Sequence, residues 1–342
     1  MTPSQAATVR EVFLTQHRSG YGSPPSDCLG VRQLNRPALK AGQVRVRNDF
    51  MQLTAVMADL MTENPGLPMP SYAIGEPLWA GAVGTVVESA SNMPVGTVVQ
   101  HMNGWREEFT GPASLLYPVP SEGLPGAEYV LNQGVTAYHG MVDVAAVREG
   151  DVVFVSGAAG GVGSLAGQIA KAVGAKTVIG SAGSAEKIKY LTEELGFDAG
   201  INYRDGRIEE QLAEFAPDGI DVFFDTVGGS QFEAAVQAAA PHARFALCGA
   251  LAGQIDGGIA GSPRLDIMTS IVKQLTIRPF STLHTSEQLA AWGMHYAQWL
   301  AEGKIVFPHS IIDGGLDAAP AALDALLKGQ YRGNVLIRMR AQ

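Results

Sequence analysis

The 342-residue sequence is 46% hydrophobic and 17% charged, which supplies enough apolar side chains for two domain cores and too few charges for a disordered chain. A formal net charge of -9 excludes the broad basic surface that nucleic-acid phosphates require. Two cysteines, Cys28 and Cys248, exclude a disulfide framework and a four-thiolate zinc site. With no apolar run of the roughly 18 residues that a bilayer demands, and no basic-then-apolar N-terminal stretch, the expectation is a globular, cytoplasmic protein with neither a membrane nor a nucleic-acid partner.

Residues 1 to about 124 are rich in Pro and Gly and carry short Val-bearing runs at Gln43–Val46 and Gly81–Val87, punctuated by turn signals at Glu76-Pro77 and Met93-Pro94-Val95-Gly96. They predict a mostly β domain. There is no internal repeat. From about residue 125 the pattern becomes strand, glycine turn and amphipathic helix. Asp151–Ser156 reads as a short apolar strand, and Val162, Leu165, Ala166, Ile169, Ala170 and Val173 then recur at helical spacing on one face. Further strands are predicted at Thr177–Gly180, Ile220–Asp225, Arg244–Gly249 and Leu275–Phe280, with helix-length segments between them. Alternating strands and helices make an α/β fold with a doubly wound parallel sheet. The final segment holds a helix candidate at Leu316–Lys328 and a strand at Asn334–Met339. Periodicity leaves open whether these extend the second domain or return to the first.

The turn Gly157-Ala-Ala-Gly160-Gly161-Val162-Gly163-Ser164 lies between the first strand and first helix of the second domain. Glycine there permits a tight turn and close approach of a pyrophosphate to the helix N-terminus. An NAD site would place a carboxylate about 20 residues later, on the ribose hydroxyls. That stretch reads Ile179-Gly-Ser181-Ala-Gly-Ser184, with Lys187 following in the next helix. Small residues and a cation suit the 2′-phosphate of NADPH, although a solvated helix lysine would look the same.

These features resemble the medium-chain dehydrogenase/reductase superfamily, and within it the zinc-free leukotriene B4 dehydrogenase/prostaglandin reductase group of alkenal and enone reductases. The resemblance spans nearly the whole chain. It is carried by Gly75-Glu-Pro-Leu78, Gly81-Ala-Val-Gly84, Gly104-Trp-Arg-Glu107, Gly134-Val-Thr-Ala-Tyr138, Ser156-Gly-Ala-Ala-Gly160, Gly180-Ser-Ala-Gly-Ser184, Leu195-Gly-Phe-Asp198, Asn202-Tyr203, Val227-Gly-Gly229 and Cys248-Gly-Ala250. It implies a GroES-like β domain made of residues 1–124 and 303–342, a Rossmann domain over 125–302, and a homodimer paired through the strand at Leu275–Phe280. It further implies that Gly161, Val162, Gly163 and Ser164 meet the pyrophosphate, that Lys187 and Tyr203 hold the 2′-phosphate, and that Gly160, Ser181 and Thr226 also belong to the cofactor site. Cys248, Gly249, Ala250, Phe280, Thr282 and Tyr331 would lie toward the nicotinamide. The implied activity is hydride transfer from NADPH to the β-carbon of an α,β-unsaturated carbonyl.

Zinc-dependent relatives carry a Gly-His-Glu string and clustered cysteines, neither of which is present. The seven histidines, His17, His101, His139, His242, His284, His295 and His309, show no metal-ligand spacing, so no metal is expected and each reads as structural or exposed. The substrate side departs from the group. Its usual tyrosine and arginine stand here as Val56 and Ala58, a Tyr-Asn pair as Gln254-Ile255, and an asparagine as Tyr331. No proton donor is identified. The pocket candidates are Gln52, Thr54, Met57, Trp105 and Gln254, with Tyr72 or Tyr331 as further possibilities; Trp105 and the methionines suit core positions equally. Quinone reduction, or a specialised biosynthetic or NADPH-linked binding role, are the alternatives to enone reduction.

Overall fold

The computed structural model describes residues 8–20, 22–256 and 262–340. The chain divides into two units, one of residues 1–131, 310–330 and 335–342 and one of residues 132–309 and 331–334.

The first unit begins with β1 (Thr8–Leu14) and β2 (Leu29–Asn35), which form an antiparallel two-stranded sheet. β3 (Gln43–Leu53), the five-residue α1 (Val56–Leu60), β4 (Ala82–Ser89), β5 (Val98–His101), β6 (Glu108–Pro112) and β7 (Tyr117–Pro118) follow. β3 buries Val44, Val46 and Asn48 at alternate positions and then Met51 and Leu53, so the buried parity switches within one strand. The switch coincides with a register shift between Asn48 and Phe50 in the pairing with β4. A bulge adds one residue and turns the downstream side chains to the other face. Val44, Val46, Val86 and Val99 pack with Phe109 and Leu116 in the core of this unit.

The second unit contains α2 (Gly134–Tyr138), β8 (Val152–Val155), α3 (Gly163–Val173), β9 (Thr177–Ala182), α4 (Ala185–Glu193), β10 (Ala199–Asn202), α5 (Ile208–Phe215), β11 (Ile220–Asp225), α6 (Gly229–Ala238), β12 (Ala239–Leu247), α7 (Leu251–Asp256), α8 (Ile267–Lys273), β13 (Thr276–Pro279) and α9 (Ser286–Ala301). Its six parallel strands take the order β10-β9-β8-β11-β12-β13, which reverses direction between β8 and β11. Leu165, Ala166, Ile169 and Ala170 of α3 are fully buried, whereas Val162 precedes the helix and Val173 is half-buried. The sheet centre is aromatic: Phe154 stacks on Phe223 with centroids 5.1 Å apart, and Phe223 meets Phe245 edge-on at 5.2 Å. Each such ring contributes roughly 1.5–3 kcal/mol by leaving water. β12 starts at Ala239, earlier than the predicted Arg244, and ends before Cys248. β10 has no counterpart among the predicted strands; only Ile201 marks it in sequence, and its pairing with β9 defines it.

The chain then supplies β14 (His309–Ile312), α10 (Gly315–Leu327) and β15 (Asn334–Arg338). β15 pairs antiparallel with β3, Val335 opposite Leu53, in the sheet β14-β15-β3-β4-β5-β7. The final strand therefore completes the first unit. The architecture is a Rossmann-like parallel sheet and a separate GroES-like β domain. Residues 125–131 group with the first unit, where Gln52 and Gln100 donate to the carbonyls of Leu131 and Val130. Residues 303–309 group with the second, where Val306 N–H donates to Gln168 Oε1 at 2.8 Å.

Candidate nucleotide site

The turn after β8 is fixed from below by one buried carboxylate. Asp225, at the end of β11, accepts from Ser156 Oγ at 2.6 Å and from the N–H groups of Val227 and Gly228 at 2.9 Å each. Burial holds its carboxyl above the usual carboxylate range, against the pull of these donors. Thr226 N–H and Oγ1 close the link onto Ser156 Oγ and O at 2.8 and 2.9 Å. The turns after β8 and β11, which flank the sheet's switch point, are thereby locked together. Ligands of open α/β sheets bind beyond the strand ends at such a point.

Glycine in this turn answers to space. Gly157 has φ +58°, and a Cβ there would stand 2.5 Å from Thr226 Oγ1. A Cβ on Gly163 would stand 2.5 Å from the Gly157 carbonyl oxygen, and one on Gly161 would meet Gln133 Oε1 at 1.9 Å. α3 consequently starts hard against the turn, and no side chain caps it. Its dipole points over Gly160, which is exposed, and over half-buried Gly161 and Val162, while the N–H groups of Leu165 and Ala166 bond back to Val162 O at 3.1 and 2.9 Å. Ser164 is different: it is fully buried, its N–H bonds to Gly160 O at 3.0 Å, and its hydroxyl turns toward Gly161 O.

At the end of β9, Ser181 is buried and tied to Gly157 N–H and Gln231. Ser181 therefore shapes the turn from beneath. Ser184 caps α4 by accepting from Lys187 N–H. Lys187 is half-buried; burial, with the nearby charge of Arg204, lowers its ammonium below the ordinary value. Tyr203 follows β10 in parallel register with β9, and its hydroxyl oxygen stands 2.6 Å from where a Cβ on Gly183 would be. Lys187, Gly183 and Tyr203 thus share one corner. No carboxylate occurs in residues 179–184, so nothing there would repel a phosphate.

On the other side of the switch point, Cys248 and Gly249 donate their N–H groups to Asp225 O at 2.8 and 3.1 Å. Asp225, Phe232, Leu247, Cys248, Gly249 and Ala250 are among the residues lining a cavity of about 390 Å³. Burial pushes the Cys248 thiol up to about 12, so it is held in the neutral form. Phe280 leaves β13 with its N–H on Leu247 O, and its ring packs on Phe224 and edge-on to His139. Thr282 is exposed, and Tyr331 is half-buried. A broader depression of about 690 Å³ in the first unit, lined by Ala90, Met93, Pro94 and Pro118 among others, has no ionisable group in its lining.

The histidines are not all isolated. His139 Nδ1 stands 2.8 Å from Asp143 Oδ2 and within reach of Gln288, while His284 Nε2 stands 2.8 Å from Thr136 Oγ1. The two rings meet edge-on at 5.9 Å. Their sequence separation hides this group from a linear reading. Among the described residues, no three His, Cys, Asp or Glu side chains form a set able to hold a metal ion.

The pocket candidates of the first unit separate. Gln52 lies downstream of the bulge in β3, half-buried, and donates to Leu131 O at 3.0 Å; Thr54 is half-buried at the end of that strand. Met57 is 4% exposed, and Met51 and Met61 are fully buried, so these methionines are core. Trp105 is also core: it is fully buried with φ +59°, and its backbone N–H reaches Met51 Sδ at 2.7 Å. That removes it from any pocket wall. Tyr72 is buried with its hydroxyl committed to Trp79 O, and burial raises that hydroxyl's pKa. Gln254, in the second unit, is half-buried on α7.

Residues 161–294 match the family described as zinc-binding dehydrogenase, and residues 10–119 match the N-terminal domain of oxidoreductase. Prostaglandin reductase 1 of Bos taurus is 32% identical, over 95% of this chain and 97% of its own. The NADPH-dependent curcumin reductase of Escherichia coli is 32% identical, over 93% of this chain and 94% of its own. The crystal structure of CurA from Vibrio vulnificus in complex with NADPH superposes with a TM-score of 0.88 at 27% identity, covering 97% of this chain and 100% of that one.

Proposed function

The chain belongs to the zinc-independent medium-chain dehydrogenase/reductase superfamily, in the group related to prostaglandin reductase 1 and the curcumin reductases, and from that membership we propose the following function. It is an NADPH-dependent oxidoreductase that reduces the C=C bond of enal- and enone-type substrates without zinc. The observation that carries this reading is the uncapped α3 behind a glycine turn, followed at the end of β9 by small residues where an NAD site would hold a carboxylate, with Lys187 in the first turn of α4 beyond them. When bound, NADPH supplies the hydride that reaches the substrate β-carbon.

The chain's own residues bind and orient. Gly161, Val162 and Gly163 present backbone N–H groups to the pyrophosphate, Gly160 borders it with its own N–H spent on Gly157 O, and Ser164 and Ser181 hold the turn from behind. Lys187 and Tyr203 take the 2′-phosphate. Thr226, Cys248, Gly249, Ala250, Phe280, Thr282 and Tyr331 form the nicotinamide end, where the neutral Cys248 thiol packs without competing as a nucleophile. Gln254 is the polar candidate toward substrate in the second unit, and Gln52 and Thr54 are the polar candidates of the first. The protein works in the cytoplasm as a homodimer joined at β13, an edge strand with Thr276, Arg278 and Pro279 exposed. No described helix is long and apolar enough to cross a membrane.

The test is consumption of NADPH, with NADH in parallel, against enals, enones and quinones, with products identified by mass spectrometry. Saturated carbonyl products, strong NADPH preference, and loss of that preference in Lys187→Ala support the reading. Tight NADPH binding without enone turnover refutes the substrate class, and quinone turnover alone replaces it.

A further inference from the structure

A short segment of the second unit, residues 331–334, crosses the nucleotide site after α10. Gly333 N–H donates to Ala159 O at 2.8 Å, and Gly333 forms an isolated bridge with Gly160 in the glycine turn. Asn334, 1% exposed, accepts from Gln133 N–H and donates to Pro308 O, both at 3.1 Å. Gly333 has φ +65°, and a Cβ there would stand 2.2 Å from Pro308 O, so only glycine passes this point. The segment is fixed on the turn that receives the pyrophosphate.

The next side chain along it is Arg332. Its guanidinium carbon lies 4.6 Å over the Tyr190 ring, one helical turn beyond Lys187 on the same face of α4. Its Nη1 is 3.3 Å from Glu194, a pair with 40% and 59% of the two side chains exposed. Such a solvated pair holds a charge in place weakly. From the turn after β10, Arg204 lies over Tyr203 at 5.6 Å, beside the Gly183 cradle. The fields of both arginines reach Lys187 and disfavour its charged form, with Glu186 opposing them there. Three cations brought to one corner repel one another, and a doubly charged phosphate ester relieves the repulsion.

We propose that Arg332 is a specificity-determining residue for the 2′-phosphate of NADPH, forming with Lys187 and Arg204 a three-cation subsite carried partly by the segment that rests on the pyrophosphate turn. The proposal rests on the NADPH reading above. Arg332 leaves Glu194 for the phosphate, and because its segment is anchored on the glycine turn, the two phosphate subsites are mechanically joined. Arginine suits this role, since its planar fork makes charge-assisted bonds to phosphate oxygens.

Calorimetric titration of the intact protein with NADPH, NADH, adenosine 2′,5′-bisphosphate and AMP tests it without turnover. Arg332→Leu is expected to weaken NADPH and adenosine 2′,5′-bisphosphate by on the order of ten-fold, the weight of one charge-assisted hydrogen bond, and to leave NADH and AMP unchanged. Arg332→Lys recovers part of the loss. Should Arg332→Leu fold poorly, Arg332→Gln makes the same comparison with a polar side chain. Equal weakening of NADPH and NADH overturns the proposal, because it shows Arg332 to be only a tether between the segment and α4; so does unchanged binding of all four. Wild-type protein that binds NADPH no tighter than NADH overturns the NADPH reading itself, and the proposal with it.

Discussion

Gly163→Ala tests whether the glycine turn is set by steric closeness to α3. The new Cβ would stand 2.5 Å from the Gly157 carbonyl oxygen, 2.9 Å from Ala158 Cα and 3.0 Å from Gly157 C, all backbone atoms that no rotamer change can move aside. An ordinary contact begins near 3.4 Å, so turn and helix must separate by about 0.9 Å. Overpacking of this kind costs about 1–3 kcal/mol. Alanine's helix preference returns at most about 1 kcal/mol, and less at the first residue of a helix. A net loss of about 1–2 kcal/mol is expected in thermal unfolding. Displacement approaching 1 Å in a site that binds through backbone N–H groups is expected to weaken NADPH and NADH equally, by on the order of ten-fold or more, because both carry the pyrophosphate. Calorimetric titration with both nucleotides measures this. Undiminished affinity for both would refute the steric account, and weakening confined to NADPH would place the turn's effect at the 2′-phosphate instead.

His101 is 2% exposed, and burial, with Arg106 nearby, brings its imidazole down to about 4 from an ordinary 6.5. Between those values the unfolded chain binds the proton and the folded chain does not. Its contribution is therefore complete above pH 6.5 and is lost as pH falls toward 4, by about 3 kcal/mol across the whole interval. Denaturant titrations across that range should show the slope in the parent and not in His101→Asn. Trp105→Ala should destabilise by about 3–5 kcal/mol and leave the order of substrate preference unchanged. Trp105→Phe, which deletes a buried Nε1 with no partner among the described residues, should cost less in the same denaturant assay.

The nucleotide half of the site is legible in the sequence because it is written locally. A strand, a glycine turn and a helix occupy residues 152–173 without interruption, and phosphate recognition of the kind proposed there uses backbone N–H groups and a dipole that need no distant partner. Lys187 follows from counting onward from the turn. What depends on register or on two segments meeting is harder to read. Tyr203 joins Lys187 only because β10 pairs with β9, Asn202 opposite Ala182, and β10 leaves little mark of its own. Arg332 comes from the far end of the chain and has no periodic signal. On the substrate side the bulge in β3 decides which residues turn inward, and alternation counted from Val44 would place Gln52 in the core and Met51 outside it. Trp105 reads in sequence as either wall or core, and its positive φ and full burial decide for core. The glycine turn is therefore readable from a contiguous string, whereas Tyr203, Arg332 and the choice between Gln52 and Met51 emerge only with strand register and tertiary packing. Substitutions at Val56 and Gln254 are expected to leave the nucleotide turn undisturbed, because the bonds that fix that turn run among Ser156, Asp225, Thr226, Val227 and Gly228.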